Sequence, residues 1–574
     1  MAQHDYVIDN STGANVRADI NNALQAIATN NRGSSNPSTM FANQFFANTS
    51  TNVMQLRNSA NNANINLFTL AGGPAFAVDG TINSIDIGKG ANSVAGNTVL
   101  GENALDAAVT GANNTAVGLE SLGANTSGAD NTAVGRFALN ANTTGSDNTA
   151  VGKNALDSNT TASTNTAIGN NALTGNTTGA ENVAVGSDAL ASNTTASNNT
   201  AVGKSALGAN TTGVSNVACG RKALNANTTA NNNTAVGINC LLLNTTGAQN
   251  TAVGSLCLDA NTSGDDNTAM GVSALGKNTT ASNNTAFGRS ALQENTTGTG
   301  NSALGTEALE ANTTGDHNTG LGRSSLKANT TGDKNVGVGF SSLISNTTGD
   351  QNTAIGTDAL SSNETGIDNT SIGFRSMENS TTSQRNTAVG ENSLHDITTA
   401  LNNVGLGVDA GQNITTGDDN VCLGKSAGTN ITTGSNNIVI GKDASNTSAT
   451  ASNVITLGNS SHDNLRCNDT SISSLSDRRD KTEIINLPVG LDLINKLLPR
   501  KFKWETRDGN IKDGLYRAGF IAQELQEAQK DFDYLDLVLD KNPERLEAKQ
   551  EHLIPVLVKA IQELSVKVTA LEAG

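Results

Sequence analysis

The chain has 574 residues and a net charge of −17, and 59 of its residues are glycine whereas only 3% are aromatic. Because a large globular enzyme needs bulky side chains to fill its core, this composition excludes a series of ordinary globular domains. The acidic balance without a basic stripe argues against nucleic-acid binding, and no apolar run approaches the roughly 20 residues of a membrane helix, so we expect no membrane insertion.

The first 75 residues form a region distinct from the rest. Four apolar residues lie on one face of a predicted short helix: Val16, Ile20, Leu24 and Ile27. Residues 40–70 then alternate apolar and polar side chains around a polar NNAN turn, which predicts a strand hairpin. The segment MAQHDYVIDN lacks the basic and apolar parts of a secretion signal, so we do not expect export by that route. Residues 76–96 connect this region to a long repeat.

The repeat occupies residues 97–470 and has a strict period. A glycine recurs every 17 residues from Gly101 to Gly458, which makes 22 repeat glycines, and the typical unit reads NTAVGxxALxxNTTGxx. The residue before each of these glycines is apolar. An invariant short period is the signature of a solenoid. Because Thr-Ala-Val segments are too short and too β-branched for a helix, we predict a mainly β chain whose shaft is a parallel β-roll or β-solenoid.

Each unit is predicted to form one coil of about two short strands joined by turns. Within NTAVG, the Thr and Val side chains point to one face and the Ala side chain to the other. We expect Val and Leu to fill the coil interior, and the small Ala face to let neighbouring chains approach closely. The Asn before the strand recurs in every unit except the last, which predicts a hydrogen-bonded amide ladder. We interpret the NTT triplets as turn chemistry and not as glycosylation sites.

The composition changes after about residue 470, where Lys, Arg and Glu become frequent and the single tryptophan, Trp504, occurs. We predict a small α/β domain with a helix around Leu491–Leu498, a KFKWE strand, and a last helix from about Pro543 to Leu571. Six apolar residues of the last helix follow heptad spacing: Ile554, Leu557, Ile561, Leu564, Val568 and Leu571. This seam is typical of a coiled coil, which we expect to be trimeric.

Two parts of the chain resemble known fibrous proteins. The VAVG-like and VAIG-like units resemble the left-handed parallel β-roll of YadA-type trimeric adhesin heads over roughly residues 97–458, although the 17-residue period is longer than the usual coil of that family. The segment MAQHDYVIDNSTGANVRADINNALQAI resembles the N-terminal region of tail fibres from marine cyanobacterial phages. That resemblance implies that residues 1–75 attach to the virion by binding phage tail proteins.

The sequence SDRRDK, from Ser476 to Lys481, resembles the SDxRxK signature of the self-cleaving intramolecular chaperone domain found in endosialidase tail spikes. The resemblance covers about residues 476–574 and includes the GFIAQE segment, Gly519–Glu524. It implies that Ser476 is a nucleophile, that Lys481 is its activating base, and that the Leu475–Ser476 bond is cut after a trimer has folded. The family often has an apolar residue before the lysine. Here Asp480 is expected to stabilise the ammonium form and slow the cut.

The spacing of this pair constrains the site. Five residues correspond to about 140° of rotation on a helix, so Ser476 and Lys481 should lie on a loop or strand, or in a site completed by a neighbouring subunit. A lysine acts as a base only where burial or nearby cations lower its pKa. We therefore expect at most a single-turnover Ser-Lys self-cleavage, and no turnover activity in the shaft. The alternative is that SDRRDK is only a charged linker. The scattered cysteines and histidines predict neither a metal site nor a cofactor.

These features together predict a homotrimeric viral tail fibre that resides in the virion after synthesis in the host cytoplasm. Its expected partners are phage tail proteins and a host cell-surface receptor, for which a glycan is the expected class. Two alternatives remain open at the level of the sequence. A trimeric bacterial surface adhesin would require a secretion signal and a membrane anchor, and a glycan-degrading tail spike would turn over host polysaccharide.

Overall fold

The computed structural model describes residues 45–51, 53–57, 64–69, 80–82, 85–462, 477–503, 514–540 and 546–574, together with seven isolated positions before residue 61. Of the predicted N-terminal helix, Val16 and Ile27 lie outside the described residues, whereas Ile20 and Leu24 have helical backbone. The chain divides into two units, residues 1–282 and 283–574, and each is described by itself.

The predicted N-terminal hairpin is an antiparallel sheet of three strands in chain order: β1 (Phe45–Asn48), β2 (Val53–Arg57) and β3 (Asn64–Thr69). Asn48 ends the first strand because its Oδ1 accepts hydrogen bonds from the backbone N–H groups of Ser50 and Thr51, both at 3.1 Å. Such an Asx turn reverses the chain. Two further strands, β4 (Gly80–Ile82) and β5 (Ile85–Gly88), pair antiparallel with each other.

The repeats of the first unit form a parallel β-solenoid, as predicted. Its eleven strands are β6 (Thr98–Gly101), β7 (Thr115–Val117), β8 (Thr132–Val134), β9 (Thr149–Val151), β10 (Thr166–Ile168), β11 (Val183–Val185), β12 (Thr200–Val202), β13 (Val217–Cys219), β14 (Thr234–Val236), β15 (Thr251–Val253) and β16 (Thr268–Met270). Each pairs with the strand 17 residues away, so that Ala133 lies opposite Ala150. Strand β5 pairs antiparallel with β6 and covers the edge of the first coil, which removes an open template for aggregation.

The second unit contains eleven more solenoid strands with the same register. They are β17 (Thr285–Phe287), β18 (Ser302–Leu304), β19 (Thr319–Leu321), β20 (Val336–Val338), β21 (Thr353–Ile355), β22 (Thr370–Ile372), β23 (Thr387–Val389), β24 (Val404–Leu406), β25 (Val421–Leu423), β26 (Ile438–Ile440) and β27 (Ile455–Leu457). Identical residue types again face each other, as Ile355 does Ile372. The expectation of about two strands per coil is wrong, because each described coil contains one three- or four-residue strand and the remainder is turn.

The coil interior corrects the prediction about faces. Ala133 and Leu139 are completely buried, whereas Val151 on the opposite face of its strand is 36% exposed. The expectation that Val fills the interior is therefore wrong, although Leu does so. The physical reason is width. At Gly320, which replaces the strand alanine of its coil, an added Cβ would already lie 3.3 Å from Leu309 Cγ. One methyl group fills the gap between strand and leucine, so a valine does not fit.

Two columns of buried asparagines connect the coils. The backbone N–H and Nδ2 of Asn148 donate to Asn131 Oδ1 at 3.0 and 3.1 Å, and Nδ2 also donates to the Ala162 carbonyl. This arrangement confirms the predicted amide ladder. The second column is the Asn of each NTT triplet. Asn142 is completely buried and donates to Asn125 Oδ1 and to the Gly145 carbonyl. Its amide is already engaged, which agrees with the interpretation of NTT as a turn.

The repeat glycines allow the coils to approach one another. Gly135 has a φ angle of 137°, and a Cβ at this position would lie 2.4 Å from the carbonyl oxygen of Gly152 in the next coil. Both the backbone conformation and the contact exclude a side chain. The glycine column therefore sets the coil spacing, and this requirement explains the unbroken 17-residue period.

The C-terminal region forms a small α/β domain with its own core. Its elements are a 3₁₀ turn (Arg478–Asp480), α1 (Leu491–Ile494), β28 (Arg500–Phe502), β29 (Arg517–Gly519), α2 (Ala522–Gln529), a 3₁₀ turn (Asp533–Leu535), β30 (Val538–Leu539), β31 (Glu547–Ala548), a 3₁₀ turn (Gln550–His552) and α3 (Leu553–Glu572). Strands β28 and β29 pair antiparallel, as do β30 and β31. The core contains Leu493, Leu525, Leu537 and Val556.

The last helix is shorter than predicted. It begins at Leu553 and not near Pro543, because Glu547–Ala548 pairs as a strand with Val538–Leu539. The first helix of the domain ends at Ile494, four residues before the predicted end at Leu498. Among the described residues, no helix is both long and apolar enough to cross a lipid bilayer.

Candidate self-cleavage site and assembly surface

The segment around the predicted cleavage site is described from Asp477 onwards, so Leu475 and Ser476 lie outside the described residues. The structure therefore does not place the predicted nucleophile relative to Lys481. Asp477 and Lys481 both have extended backbone and enclose the 3₁₀ turn Arg478–Asp480. Asp477 caps this turn by accepting a hydrogen bond from the Arg479 backbone N–H at 2.9 Å. The described part of the signature thus forms an extended–turn–extended segment and not a regular α-helix.

The charges of this segment are partly paired. The Arg479 guanidinium donates Nε–H to Asp477 Oδ1 at 3.1 Å and Nη2–H to Oδ2 at 2.6 Å, which is a bidentate ion pair. The hydrogen bonds from Arg479, first from its side chain and then from its backbone, lower the pKa of Asp477. Asp477 is therefore ionised and neutralised by its neighbour. Arg478 and Lys481 are solvent-exposed, so the segment presents cationic side chains beside the predicted scissile bond.

The terminal helix α3 has two apolar faces with different surroundings. Leu553, Val556 and Ala560 are buried against the domain core. The predicted heptad seam lies on another face and is exposed: 61% of Ile554, 44% of Leu557, 66% of Ile561, 49% of Leu564, 42% of Val568 and 81% of Leu571. An intrachain core accounts for the first face but leaves the second uncovered. The heptad spacing therefore serves a contact outside this domain.

Helix α3 is fixed to the domain by contacts that orient its exposed seam. The Leu491 backbone N–H donates to Glu563 Oε2 at 2.9 Å, and this hydrogen bond lowers the pKa of Glu563. At Gly490 an added Cβ would lie 2.9 Å from the Ala560 backbone nitrogen. Glycine therefore allows α1 to approach α3 closely, and its carboxylate partner satisfies the N-terminal N–H of α1.

The GFIAQE segment links the hairpin to helix α2. Gly519 ends strand β29, and Glu524 lies in the first turn of α2. Arg500 of strand β28 forms a bidentate pair with Glu524, with Nε–H to Oε2 at 2.9 Å and Nη2–H to Oε1 at 2.7 Å. The pair lowers the pKa of Glu524 and raises that of Arg500. Sequence reasoning identified the segment but missed this partner, because the two residues are 24 positions apart and no periodic signal connects them.

Sequence reasoning also missed a surface on the repeats. The residue before each repeat glycine, from Leu100 to Met270 in the first unit and from Phe287 to Leu457 in the second, faces outward and is never buried. We name these two columns, with the Thr-type column two residues earlier, the strand stripe. Its signal was visible as an invariant apolar position, but it was assigned to the coil interior.

Comparison with known proteins identifies one domain. Residues 476–534 match the family model described as the chaperone of endosialidase. The match begins at the predicted nucleophile and ends before helix α3. No curated protein and no solved structure matches the chain. The resemblances to cyanobacterial phage tail fibres and to YadA-type heads therefore remain predictions.

Proposed function

We propose that this chain is a homotrimeric viral tail fibre for host-cell attachment, and that its C-terminal domain guides assembly before cutting the Leu475–Ser476 bond. The observation that carries the proposal is the combination of a long parallel β-solenoid with a chaperone-of-endosialidase match at residues 476–534. The exposed seam of α3 supports a multichain assembly, since three such helices would cover it. Residues 1–75 are the proposed virion attachment region.

The proposed cut is an acyl shift followed by hydrolysis. The Ser476 Oγ attacks the Leu475 carbonyl carbon, and Lys481 takes the hydroxyl proton. The C–N bond then breaks, the Ser476 nitrogen leaves as a protonated amine, and the acyl group remains on Oγ as an ester. Water hydrolyses this ester, which yields a Leu475 carboxylate and frees the hydroxyl. Lys481 is exposed in the single chain, so removal of water by a neighbouring subunit is the proposed trigger that links cutting to assembly.

Expression of the full chain followed by intact-mass analysis tests this chemistry. Assembled protein should separate into fragments of 475 and 99 residues. Ser476→Ala and Lys481→Ala should each stay uncut while still forming trimers, and the adjacent control Thr482→Ala should be cut normally. Asp480→Leu should accelerate the cut. An intact wild-type chain in assembled trimers would remove the protease assignment, and continued cutting of Ser476→Ala at the same bond would remove the nucleophile.

The chaperone and attachment roles are tested separately. A chain that ends at Leu475 should give aggregated or monomeric solenoid, because the domain that aligns three chains is missing. A soluble native trimer from that gene would show that the domain is dispensable for assembly. For attachment, purified trimer added before virus should reduce adsorption to host cells. Release of soluble sugar from host polysaccharide would instead favour the glycan-degrading spike.

A further inference from the structure

The strand stripe is an outward surface from which charge is excluded. In both units, every residue directly before a repeat glycine is apolar, and every residue two positions earlier in the same strand is Thr, Ser, Val or Ile. The residue after the glycine faces solvent without this restriction, as Arg136, Lys153 and Glu391 show. Packing within the chain does not explain the difference, because stripe residues such as Ile168 and Met270 are 41% and 46% exposed.

The pattern selects apolarity and not a particular shape. The apolar column contains Val, Ile, Leu, Cys219, Met270 and Phe287, so its side-chain volume varies between coils while its polarity does not. A strand face in contact with water normally carries polar or charged residues. The second Thr of each NTT triplet, as at Thr212, is also outward and uncharged, but it retains a hydroxyl in contact with solvent. The strand stripe is thus the surface whose sequence requires a cover.

We propose that the strand stripe packs against the same stripe of other copies of this chain, in parallel and at the same height. This inference rests on the proposed trimer and identifies the surface through which its solenoids meet. A partner that matches an apolar column repeating with every coil must itself repeat with the same spacing, and a second copy does so without any adjustment. The net charge of −17 disfavours the other apolar occupant, an anionic lipid surface.

The size of the stripe fits an interface between subunits. Aliphatic side chains that are one-third to one-half exposed present roughly 25–50 Å² each. The eleven such residues of one unit therefore present about 300–500 Å², and the two units together approach the roughly 800 Å² per partner of a standard interface. Contact along repeating coils leaves the register ambiguous by whole repeats. The C-terminal domain then supplies the alignment that the stripe itself lacks.

A native thiol lies in the stripe and provides the test. Cys219 is exposed, whereas Cys240, Cys257 and Cys422 are buried. In a Cys467→Ser background, a short bismaleimide should join Cys219 residues of two copies, giving a covalent dimer on a denaturing gel with up to two-thirds of the chains joined. Cys219→Ser should abolish this product. A matched chain with Cys219→Ser and Thr212→Cys, which moves the thiol to the hydroxyl column, should give no dimer.

Charge insertion gives an independent measurement. Val202→Asp with Val236→Asp places two carboxylates on stripe positions that are each 37% exposed, and should raise the trimer dissociation constant at least 100-fold in sedimentation velocity. The control, Thr212→Asp with Thr229→Asp, should change it less than threefold. A trimer that cross-links through Thr212→Cys but not through Cys219, or that tolerates both stripe aspartates, would overturn the inference and leave the proposed function intact. A wild-type chain that sediments as a monomer would overturn both.

Discussion

The solenoid coils and the C-terminal domain are stabilised in different ways. In the coils the interior is one alanine and one leucine wide, and amide ladders such as Asn131–Asn148 connect each coil to the next. In the C-terminal domain the core is formed by aliphatic side chains from separate segments, including Leu493, Leu525 and Val556. Coil contacts thus connect residues 17 positions apart in every repeat, whereas the domain contacts are each unique.

This difference explains why one chain needs both regions. If one solenoid shifts by a whole repeat against another, every Asn meets an equivalent Asn and every stripe residue meets an apolar residue. The energy difference between registers is therefore small, and the correct alignment is weakly specified. The C-terminal core has no equivalent alternative packing. A region with unique contacts can align chains that repetitive coils can only stabilise, which is the physical argument for a dedicated assembly domain.

The largest test of the repetitive half is a change of register within one chain. Deleting the 17 residues Gly186–Val202 should leave a folded solenoid that is one coil shorter, because every later column keeps its partners. Deleting the eight residues Gly186–Asn193 should abolish cooperative unfolding, because later alanines and asparagines would occupy turn positions. Far-UV circular dichroism and thermal unfolding measure both variants. Equal tolerance of the two deletions would contradict the assignment of one coil to each 17-residue unit.

A second test measures the width of the coil interior. Replacement of Ala133, Ala150 and Ala167 by Leu should destabilise the solenoid by roughly 1–3 kcal/mol for each site, because the three side chains are completely buried against the leucine column. The matched control replaces Val134, Val151 and Ile168, which lie on the outward face of the same strands, by Leu. Denaturant unfolding should show little change for the control. An unchanged midpoint for the alanine variant would mean that the interior has spare volume.

The same alanines show how far the sequence predicts the fold. The 17-residue period, the β-solenoid and the amide ladder were predictable because each depends on spacing alone. The face occupied by Val was not, because alternation puts Ala and Val on opposite faces without saying which is inside. The answer depends on the coil width, which is set by Leu139 in a left-handed conformation with a φ of 52°. Such a conformation is uncommon for leucine, and no sequence signal announces it.

The candidate site was predictable to a different extent. The heptad seam of α3 follows from spacing, and its exposure agrees with a role between chains. The start of α3 at Leu553 was not predictable, because it depends on pairing between Val538–Leu539 and Glu547–Ala548. The pairing of Ser476 with Lys481 stays a prediction, since Ser476 lies outside the described residues. Short repeats encode their contacts locally, whereas a unique domain depends on contacts between distant segments.

A smaller effect should follow from the removal of one amide from the ladder. Asn148→Ala should destabilise the solenoid by about 1–3 kcal/mol, the cost of leaving buried polar groups unsatisfied. The backbone N–H of Asn165 would lose its acceptor, and the Ala162 carbonyl would lose a donor. Thr144→Ala, an exposed neighbour in the same region, is the control and should be nearly neutral. If the two variants unfolded at the same denaturant concentration, the ladder would contribute no net stability.

The smallest expected effect concerns surface charge between coils. Glu307 accepts from Lys327 Nζ at 2.8 Å and pairs with Arg289, and these hydrogen bonds, that of Lys327 first, lower its pKa. A lowered carboxyl pKa stabilises the fold above the unfolded value of about 4.3 and is lost as the pH falls through the folded value. Glu307→Gln should therefore lower the thermal midpoint by a degree or so at pH 7, on the order expected for an exposed pair, and by less at pH 3. Glu391→Gln, at an exposed position, is the control and should not show this pH dependence. An equal deficit for Glu307→Gln at both pH values would mean that Glu307 acts through packing of its side chain and not through its charge.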